Sequence, residues 1–155
     1  MDNKNSRYSK EFQVRWADCD ANSHMRHSAF NDYAAHLRVS MFTDFGLPME
    51  KLLSMRLGPV LLREETKFYK ELRLNELFTV DCAVMTMRHS GKIWQMHHHF
   101  FNDQGVLAAE IVVDGSWIDL DRRKSATPNK EILELISSFP RAEDFSWLPD
   151  KRQLP

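Results

Sequence analysis

Two carboxylates, Asp18 and Asp20, stand between a short alternating segment and the start of a long amphipathic segment. A carboxylate just before a helix lies near unpaired backbone N–H groups and the positive end of the helix dipole. Such N–H groups can hold a polarised carbonyl oxygen while the carboxylate attacks the carbon or activates a water molecule. Residues 15–25, RWADCDANSHM, therefore have the residue types of an acyl-transfer site made from one short piece of chain.

The same residues also have simpler structural interpretations. Asp is a preferred helix N-cap, and on the residues alone this role is favoured for Asp20. Asp18 is interpreted as a structural loop acid that bonds nearby N–H groups. Ser23 and His24 are suited to local hydrogen bonds that cap the helix or orient the loop. A charged His24 beside Asp20 would also favour the ionised carboxylate.

The apolar periodicity predicts the elements that position these residues. Alternation predicts a strand over Glu11–Ala17, and helical spacing predicts a long helix from about His27 to Phe45. Period-two patterns then predict strands over Val60–Leu72, Glu76–Arg88, Ile93–Asn102 and Val106–Leu120, followed by a helix over Asn129–Ile136. This order predicts an α+β fold in which a five-stranded antiparallel sheet, its last four strands forming a meander, wraps one long central helix.

Length and composition narrow the class of protein. With 155 residues we expect one domain over residues 1–137 and an irregular C-terminal tail over 138–155. The 21 basic and 22 acidic residues give a net charge of −1, so we expect no binding to nucleic acid or to anionic membranes. Two cysteines, a polar N-terminus and the lack of a long apolar run lead us to expect a cytoplasmic protein.

Three consecutive histidines, His97, His98 and His99, raise the question of a metal site. Strand alternation places His97 and His99 on one face and His98 on the other. Two histidines on one face could begin a zinc site, but no third ligand is evident nearby in the sequence. We therefore expect no metal and interpret the triplet as a polar strip on a partly buried or interface strand.

The motifs in this order resemble the hotdog-fold acyl-CoA thioesterases of the 4-hydroxybenzoyl-CoA thioesterase family. The resemblance runs from about Phe12 to about Glu131. It rests on a strand ending in Asp-x-Asp, a small turn with His, and a helix bearing an aromatic residue, with Asp18, Cys19, Asp20, His24, Met25 and Phe30 at matching places. The segments at 65–72, ETKFYKEL, and 101–109, FNDQGVLAA, are also similar to the family.

The resemblance implies a function and a set of site residues. It implies hydrolysis of an acyl-CoA thioester to a free acid and CoA, with Asp20 as nucleophile or general base and the backbone N–H of His27 polarising the carbonyl. It implies a homodimer or homotetramer with active sites at subunit interfaces, and no cofactor, because CoA is part of the substrate. It also implies that basic residues of the hairpin between the third and fourth strands, here Arg88, His89 and Lys92, lie near the CoA phosphates, with Ser23 and His24 at the substrate.

Two departures from the family pattern leave alternatives open. The turn residue that is commonly Gly is Ser23 here, and the pair that is often Asn-Asn is Arg26-His27. If that position needs a positive φ, a side chain there restricts the loop. One alternative is a non-catalytic acyl-CoA or lipid-binding hotdog module, although a pure binder has no need of Asp20. Another is a dehydratase or hydratase that uses His24 or His27 as its base.

Overall fold

The computed structural model describes residues 6–151. Its elements in chain order are β1 (Tyr8–Gln13), a 3₁₀ turn (Trp16–Asp18), α1 (His27–Asp44), α2 (Met49–Ser54), β2 (Leu57–Phe68), β3 (Leu77–Arg88), β4 (Trp94–Phe101), β5 (Leu107–Asp119), β6 (Lys124–Ala126), α3 (Lys130–Ser137) and β7 (Arg141–Leu148). Within residues 6–151, no helix is long and apolar enough to cross a membrane.

Five antiparallel strands form the main sheet in the order β1-β3-β4-β5-β2, which confirms the predicted α+β class. The predicted four-strand meander is wrong, because β2 pairs with β5 and not with β3. Only β3, β4 and β5 follow one another as neighbours. Strands adjacent in sequence usually pair, but here residues 69–76 carry the chain from one edge of the sheet to β3 beside the other edge. This crossover places the end of β2 beside the start of α1.

Two further strands extend the sheet to seven. β6 pairs with β5, and β7 pairs in parallel with β3 beyond the end of β1. The expected irregular tail over 138–155 is therefore wrong for residues 141–148. Pro140 and Pro149, which suggested irregular chain, lie just outside the strand. Within it, the Arg141 guanidinium lies 4.5 Å from the Phe145 ring centroid and 5.1 Å from that of Trp147, which adds cation–π attraction to the pairing.

α1 packs its apolar stripe against the inner face of the sheet. Leu37 and Met41 are fully buried, and the Phe30 ring lies 5.2 Å from the ring of Phe100 on β4. The Tyr33 ring meets Phe78 of β3 edge to face at 5.0 Å. Such aromatic pairs add specific geometry to the burial of apolar surface. One sheet wrapped around one long helix is the hotdog arrangement that the sequence predicted.

The first strand ends earlier than predicted. It ends at Gln13, and Trp16, which the alternation placed in the strand, lies in the 3₁₀ turn with 75% of its surface exposed. The chain leaves the sheet because Val14 exchanges backbone bonds with the β2–β3 connection, donating to Glu76 and accepting from Asn75. The acids thus lie on a separate segment between β1 and α1.

Asp18 fixes the conformation of that segment. Its carboxylate is 2% exposed and accepts bonds from the Arg15 backbone N–H at 2.9 Å, from the Arg15 guanidinium at 2.9 Å and from the Tyr33 hydroxyl on α1. Burial by itself would raise the pKa of Asp18, but the hydrogen bonds from Arg15 and Tyr33 outweigh it and hold the pKa at about 2. Asp18 therefore ties the segment after β1 to the side of α1 as an ionised group.

The Asp18→Asn variant tests this anchor through its dependence on pH. Because the pKa of Asp18 is lower in the folded than in the unfolded chain, its contribution is present above about pH 4 and is lost as the pH falls toward 2. We expect Asp18→Asn to lower the free energy of unfolding by about 2 kcal/mol at pH 7. Urea unfolding should show the native and variant curves converging between pH 4 and pH 2. A difference that stays constant with pH, or an equal effect of Asp103→Asn in an exposed turn, would contradict the anchor role.

Candidate active site

Asp20 and the first residue of α1, His27, line one open cavity of about 330 Å³. The cavity lies between the start of α1 and the chain that follows β2. Its other lining residues are His24, Met25, Phe30, Phe68, Tyr69, Lys70 and Glu71. The structure thus brings together three of the predicted site residues, Asp20, His24 and His27, and adds a wall from the end of β2.

Backbone hydrogen bonds hold the loop that carries Asp20. Asp20 donates its N–H to the carbonyl of His24 at 2.8 Å, which closes a tight loop. Met25 donates to Leu72 at 2.7 Å just after β2, and Arg26 donates to the carbonyl of Asp18 at 2.8 Å. The loop is therefore fixed to both the Asp18 segment and the β2–β3 connection.

The carboxylate of Asp20 has one oriented oxygen and one open oxygen. Its Oδ1 accepts from the N–H of Asn22 at 2.9 Å and from the N–H of His24 at 3.2 Å. Its Oδ2 has no hydrogen-bond partner among residues 6–151, and the residue is exposed. The helix-capping interpretation of Asp20 is wrong, because the N-cap residue of α1 is Arg26 and no side chain caps this helix. The loop orients the carboxylate through Oδ1, and Oδ2 is available to a ligand.

The start of α1 offers an unpaired donor in the same cavity. Ala29 donates its N–H to the carbonyl of Arg26 at 3.0 Å, but within the described chain the N–H of His27 has no acceptor. An open N–H at a helix start, aligned with the helix dipole, is suited to hold a developing oxyanion. The Arg26 side chain is not in the cavity, because its guanidinium bonds to Ala17 and Asp32 instead.

The wall from the end of β2 contains residues to which the sequence analysis gave no role. Glu71 Oε2 lies 3.0 Å from His24 Nε2, so the His24 ring is directed to Glu71. Tyr69, Lys70 and the exposed Phe68 complete this wall. The segment 65–72 was identified as similar to the family, but only the crossover of β2 to the sheet edge brings its end to Asp20.

Ser23 lies outside the cavity and has an unusual backbone conformation. It does not line the cavity, and its side chain is exposed. Its φ is 61°, in the left-handed region that glycine adopts without cost. The backbone is held there because Ser23 donates to Asp20 at 3.1 Å and accepts from Leu74 at 3.1 Å. A serine in this conformation costs about 1 kcal/mol relative to an ordinary backbone.

Arg88, His89 and Lys92 do not meet Asp20 within one chain. They lie at the β3–β4 hairpin, whereas the Asp20 loop contacts the chain before the start of β3, and a 12-residue strand is roughly 36 Å long. The hairpin is instead covered by β7 and the residues just after it. The His89 ring stacks on Trp147 at 5.4 Å, and Ser90 donates its N–H to Asp150 at 3.0 Å. Contact with a substrate in the Asp20 cavity would require a second copy of the chain.

Solved structures of similar fold include several thioesterases. A Staphylococcus aureus protein solved in complex with CoA is 19% identical, with a TM-score of 0.82 and 97% of each chain covered. A putative oleoyl thioesterase from Lactobacillus plantarum is 16% identical, with a TM-score of 0.81, covering 97% of this chain and 56% of that one. A 1,4-dihydroxy-2-naphthoyl-CoA thioesterase from Synechocystis is 16% identical, with a TM-score of 0.75, covering 85% and 96%. At these identities the likeness shows the fold.

The family assignment rests on the sequence. No curated protein matches the chain significantly. The family model described as the thioesterase-like superfamily matches residues 14–136. This range includes the Asp20 loop, α1 and four of the five strands of the main sheet, β2 to β5. The chain therefore belongs to the thioesterase-like superfamily and has the hotdog fold.

Proposed function

We propose that this protein hydrolyses an acyl-CoA thioester to a free acid and CoA. The observation that carries the proposal is that Asp20, whose Oδ2 has no partner among residues 6–151, and His27, whose N–H has no acceptor there, line the same cavity. A carboxylate and an oxyanion donor in one small cavity are the two groups that cleavage of a thioester requires. Membership of the thioesterase-like superfamily supports the same reaction.

The reaction would proceed at the thioester carbonyl. The carbonyl oxygen accepts the N–H of His27, and negative charge develops there as the carbon is attacked. In one route Asp20 attacks and expels the CoA thiolate, leaving a mixed anhydride that water then hydrolyses. In the other, Asp20 removes a proton from a water molecule that attacks directly. Both routes need the carboxylate orientation that the N–H groups of Asn22 and His24 provide.

The cavity walls fit the two halves of such a substrate. Phe30 and Phe68 meet edge to face at 5.3 Å and form an apolar wall for an acyl group. Lys70 lines the same cavity and is exposed, so its ammonium group is suited to an anionic part of CoA. The acyl groups in the names of the solved neighbours differ between aromatic and oleoyl, so the fold does not choose between them.

We also propose that the active site is completed in a homodimer or homotetramer. β2 is an edge strand paired only with β5, and it exposes Leu61 and Leu62, 43% and 63% of their surface, next to the exposed Val39 of α1. An apolar edge of this kind is normally covered. A second copy there would also be the source of a hairpin with Arg88, His89 and Lys92 near bound CoA.

Sedimentation equilibrium should give a dimer or tetramer, and a strict monomer at micromolar concentration would contradict an interface site.

The Asp20→Asn variant tests the role of the carboxylate. The substitution keeps the size of the side chain and removes the charge that attacks or takes the proton. We expect kcat/KM for a responsive acyl-CoA to fall by about 100-fold or more, measured as release of the free CoA thiol across short, medium, long and aromatic acyl-CoAs. Asp103→Asn, in the exposed β4–β5 turn, is the matched control and should keep native rates. Native-like turnover in Asp20→Asn would remove Asp20 from the chemistry.

The same panel separates the enzyme from the non-catalytic binding module. Binding of CoA by calorimetry without turnover of any thioester by the native chain would favour the module. Formation of a double bond or addition of water, with no thiol released, would instead favour the hydratase and dehydratase alternative.

The Ser23→Gly variant tests whether the positive φ at Ser23 lowers the stability of the protein. Glycine adopts the φ of 61° without the steric cost of a side chain, so we expect the variant to be more stable by roughly 0.5–1 kcal/mol. Because the bonds of Asp20 to Asn22 and His24 need this backbone, kcat should remain at least native. The control is Ser40→Gly inside α1, where glycine should destabilise by about 1 kcal/mol. A loss of stability in Ser23→Gly would show that the serine side chain itself supports the loop.

A further inference from the structure

A second cluster of ionisable groups lies on the face of the sheet opposite α1. In register across three strands, Asp81 of β3 is opposite His99 of β4, and His99 is opposite Glu110 of β5. His97 stands two residues from His99 on the same face, and the two imidazole centroids are 4.3 Å apart. The inner face of β4 is separate, because His98 is fully buried against Arg38 of α1.

The donor atoms of this cluster already converge. His97 Nε2 lies 2.9 Å from Glu110 Oε2. One ring nitrogen from each of His97 and His99 and one oxygen of Glu110 lie within 4.8 Å of one another. All three side chains are about one-fifth exposed, so they are held by neighbours yet reachable from solvent. A metal ion about 2.0–2.2 Å from each ligand sets tetrahedral donor atoms roughly 3.3–3.6 Å apart. That spacing lies between the 2.9 Å of the His97–Glu110 pair and the 4.8 Å limit of the cluster.

Outer partners orient two of the three groups. Asp81 accepts from His99 Nδ1 at 3.1 Å and is itself bound by Arg7 Nε at 2.7 Å, which leaves Nε2 of His99 as its free nitrogen. The Tyr69 hydroxyl donates to Oε1 of Glu110 at 2.5 Å, which leaves Oε2 toward His97. A carboxylate behind a histidine and a donor behind a carboxylate are the supports that metal-binding side chains typically have.

We propose that His97, His99 and Glu110 form a three-ligand site for a divalent metal ion of the zinc class on the outer face of the sheet. Two imidazoles and one carboxylate favour zinc or a similar transition metal over magnesium or calcium, which prefer oxygen ligands. Three protein ligands leave one position for water or for a group from another molecule. The proposal departs from the expectation of no metal, because the third ligand comes from the neighbouring strand and is visible only in the register of β4 and β5.

The site is independent of the Asp20 reaction but shares a residue with its cavity. Tyr69, which supports Glu110, also lines the Asp20 cavity. Occupancy of the metal site would therefore fix the position of one side chain in the substrate cavity wall. No step of thioester cleavage needs the metal, so metal binding can be tested without any assay of activity.

Calorimetric titration of the chelator-treated full-length chain with Zn²⁺ alone tests the proposal. We expect one saturable site per chain, weakened at least about tenfold in His97→Gln and, separately, in Glu110→Gln. Asp81→Asn, which removes the carboxylate charge shared by His99 and Arg7 and none of the three ligands, should weaken binding by about 10–100-fold. Circular dichroism of each variant establishes that it is folded, and the use of three single substitutions keeps the test valid if one of them does not fold.

Two controls locate the ion. His36→Gln removes an exposed histidine of α1 outside the cluster and should leave Zn²⁺ binding unchanged. Cys19→Ser removes the partly exposed thiol, the other cysteine in the described chain being buried, and should also leave Zn²⁺ binding unchanged. Absence of saturable binding by the native chain would overturn the proposal. So would binding that survives His97→Gln and Glu110→Gln or is abolished by Cys19→Ser.

Discussion

The buried charge of Asp18 is the constraint on which the candidate site depends. A carboxylate that is 2% exposed is stable only with strong partners, and those partners are Arg15 before the turn and Tyr33 on α1. Because one group joins both, it fixes where α1 lies relative to the segment that leaves β1. Asp20 follows two residues later on that fixed segment. The first acid therefore positions the loop and the second is left free, which is why two similar residues so close in sequence have different roles.

The local part of this arrangement could be predicted from the sequence, because it depends on neighbours along the chain. Helical and alternating periods gave α1 and the ranges of β3, β4 and β5 to within a few residues. Asp20 and His27 are seven residues apart around one turn, so their proximity follows from a loop leading into a helix. Tyr69 and Glu71 could not be found in that way. They reach the cavity because β2 crosses to pair with β5, and the preference for pairing of adjacent strands predicted the opposite. The strand β7 was missed for a related reason, since its pairing with β3 is between distant parts of the chain.

The three histidines of β4 show how the pleat of a strand gives one residue type two environments. His98 points inward, where burial lowers its pKa to about 3. It is therefore neutral, with Nδ1 placed to donate to the Ile111 carbonyl and Nε2 to accept from Arg38. His97 and His99 point outward, toward carboxylates on the strands at either side. The alternation could be predicted from the sequence, but the identity of the partners depends on the register of β3 and β5, which no period in the sequence specifies.

The strain at Ser23 and the orientation of Asp20 are consequences of one backbone geometry. The N–H groups of residues 22 and 24 can converge on a single oxygen only if the residue between them turns the chain sharply, and at Ser23 this turn is made with φ at 61°. Successive N–H groups around a left-handed residue form an anion-binding concavity. Here the anion that occupies it is the carboxylate of Asp20, held by Oδ1, while Oδ2 has no partner among residues 6–151. A residue other than glycine is tolerated because the positive φ costs only about 1 kcal/mol of conformational free energy. A relaxed loop would separate the two N–H groups, and the Asp20 carboxylate would lose the hydrogen bonds that orient it. The departure from the family pattern at this position therefore lowers stability and leaves the orientation of the Asp20 carboxylate intact.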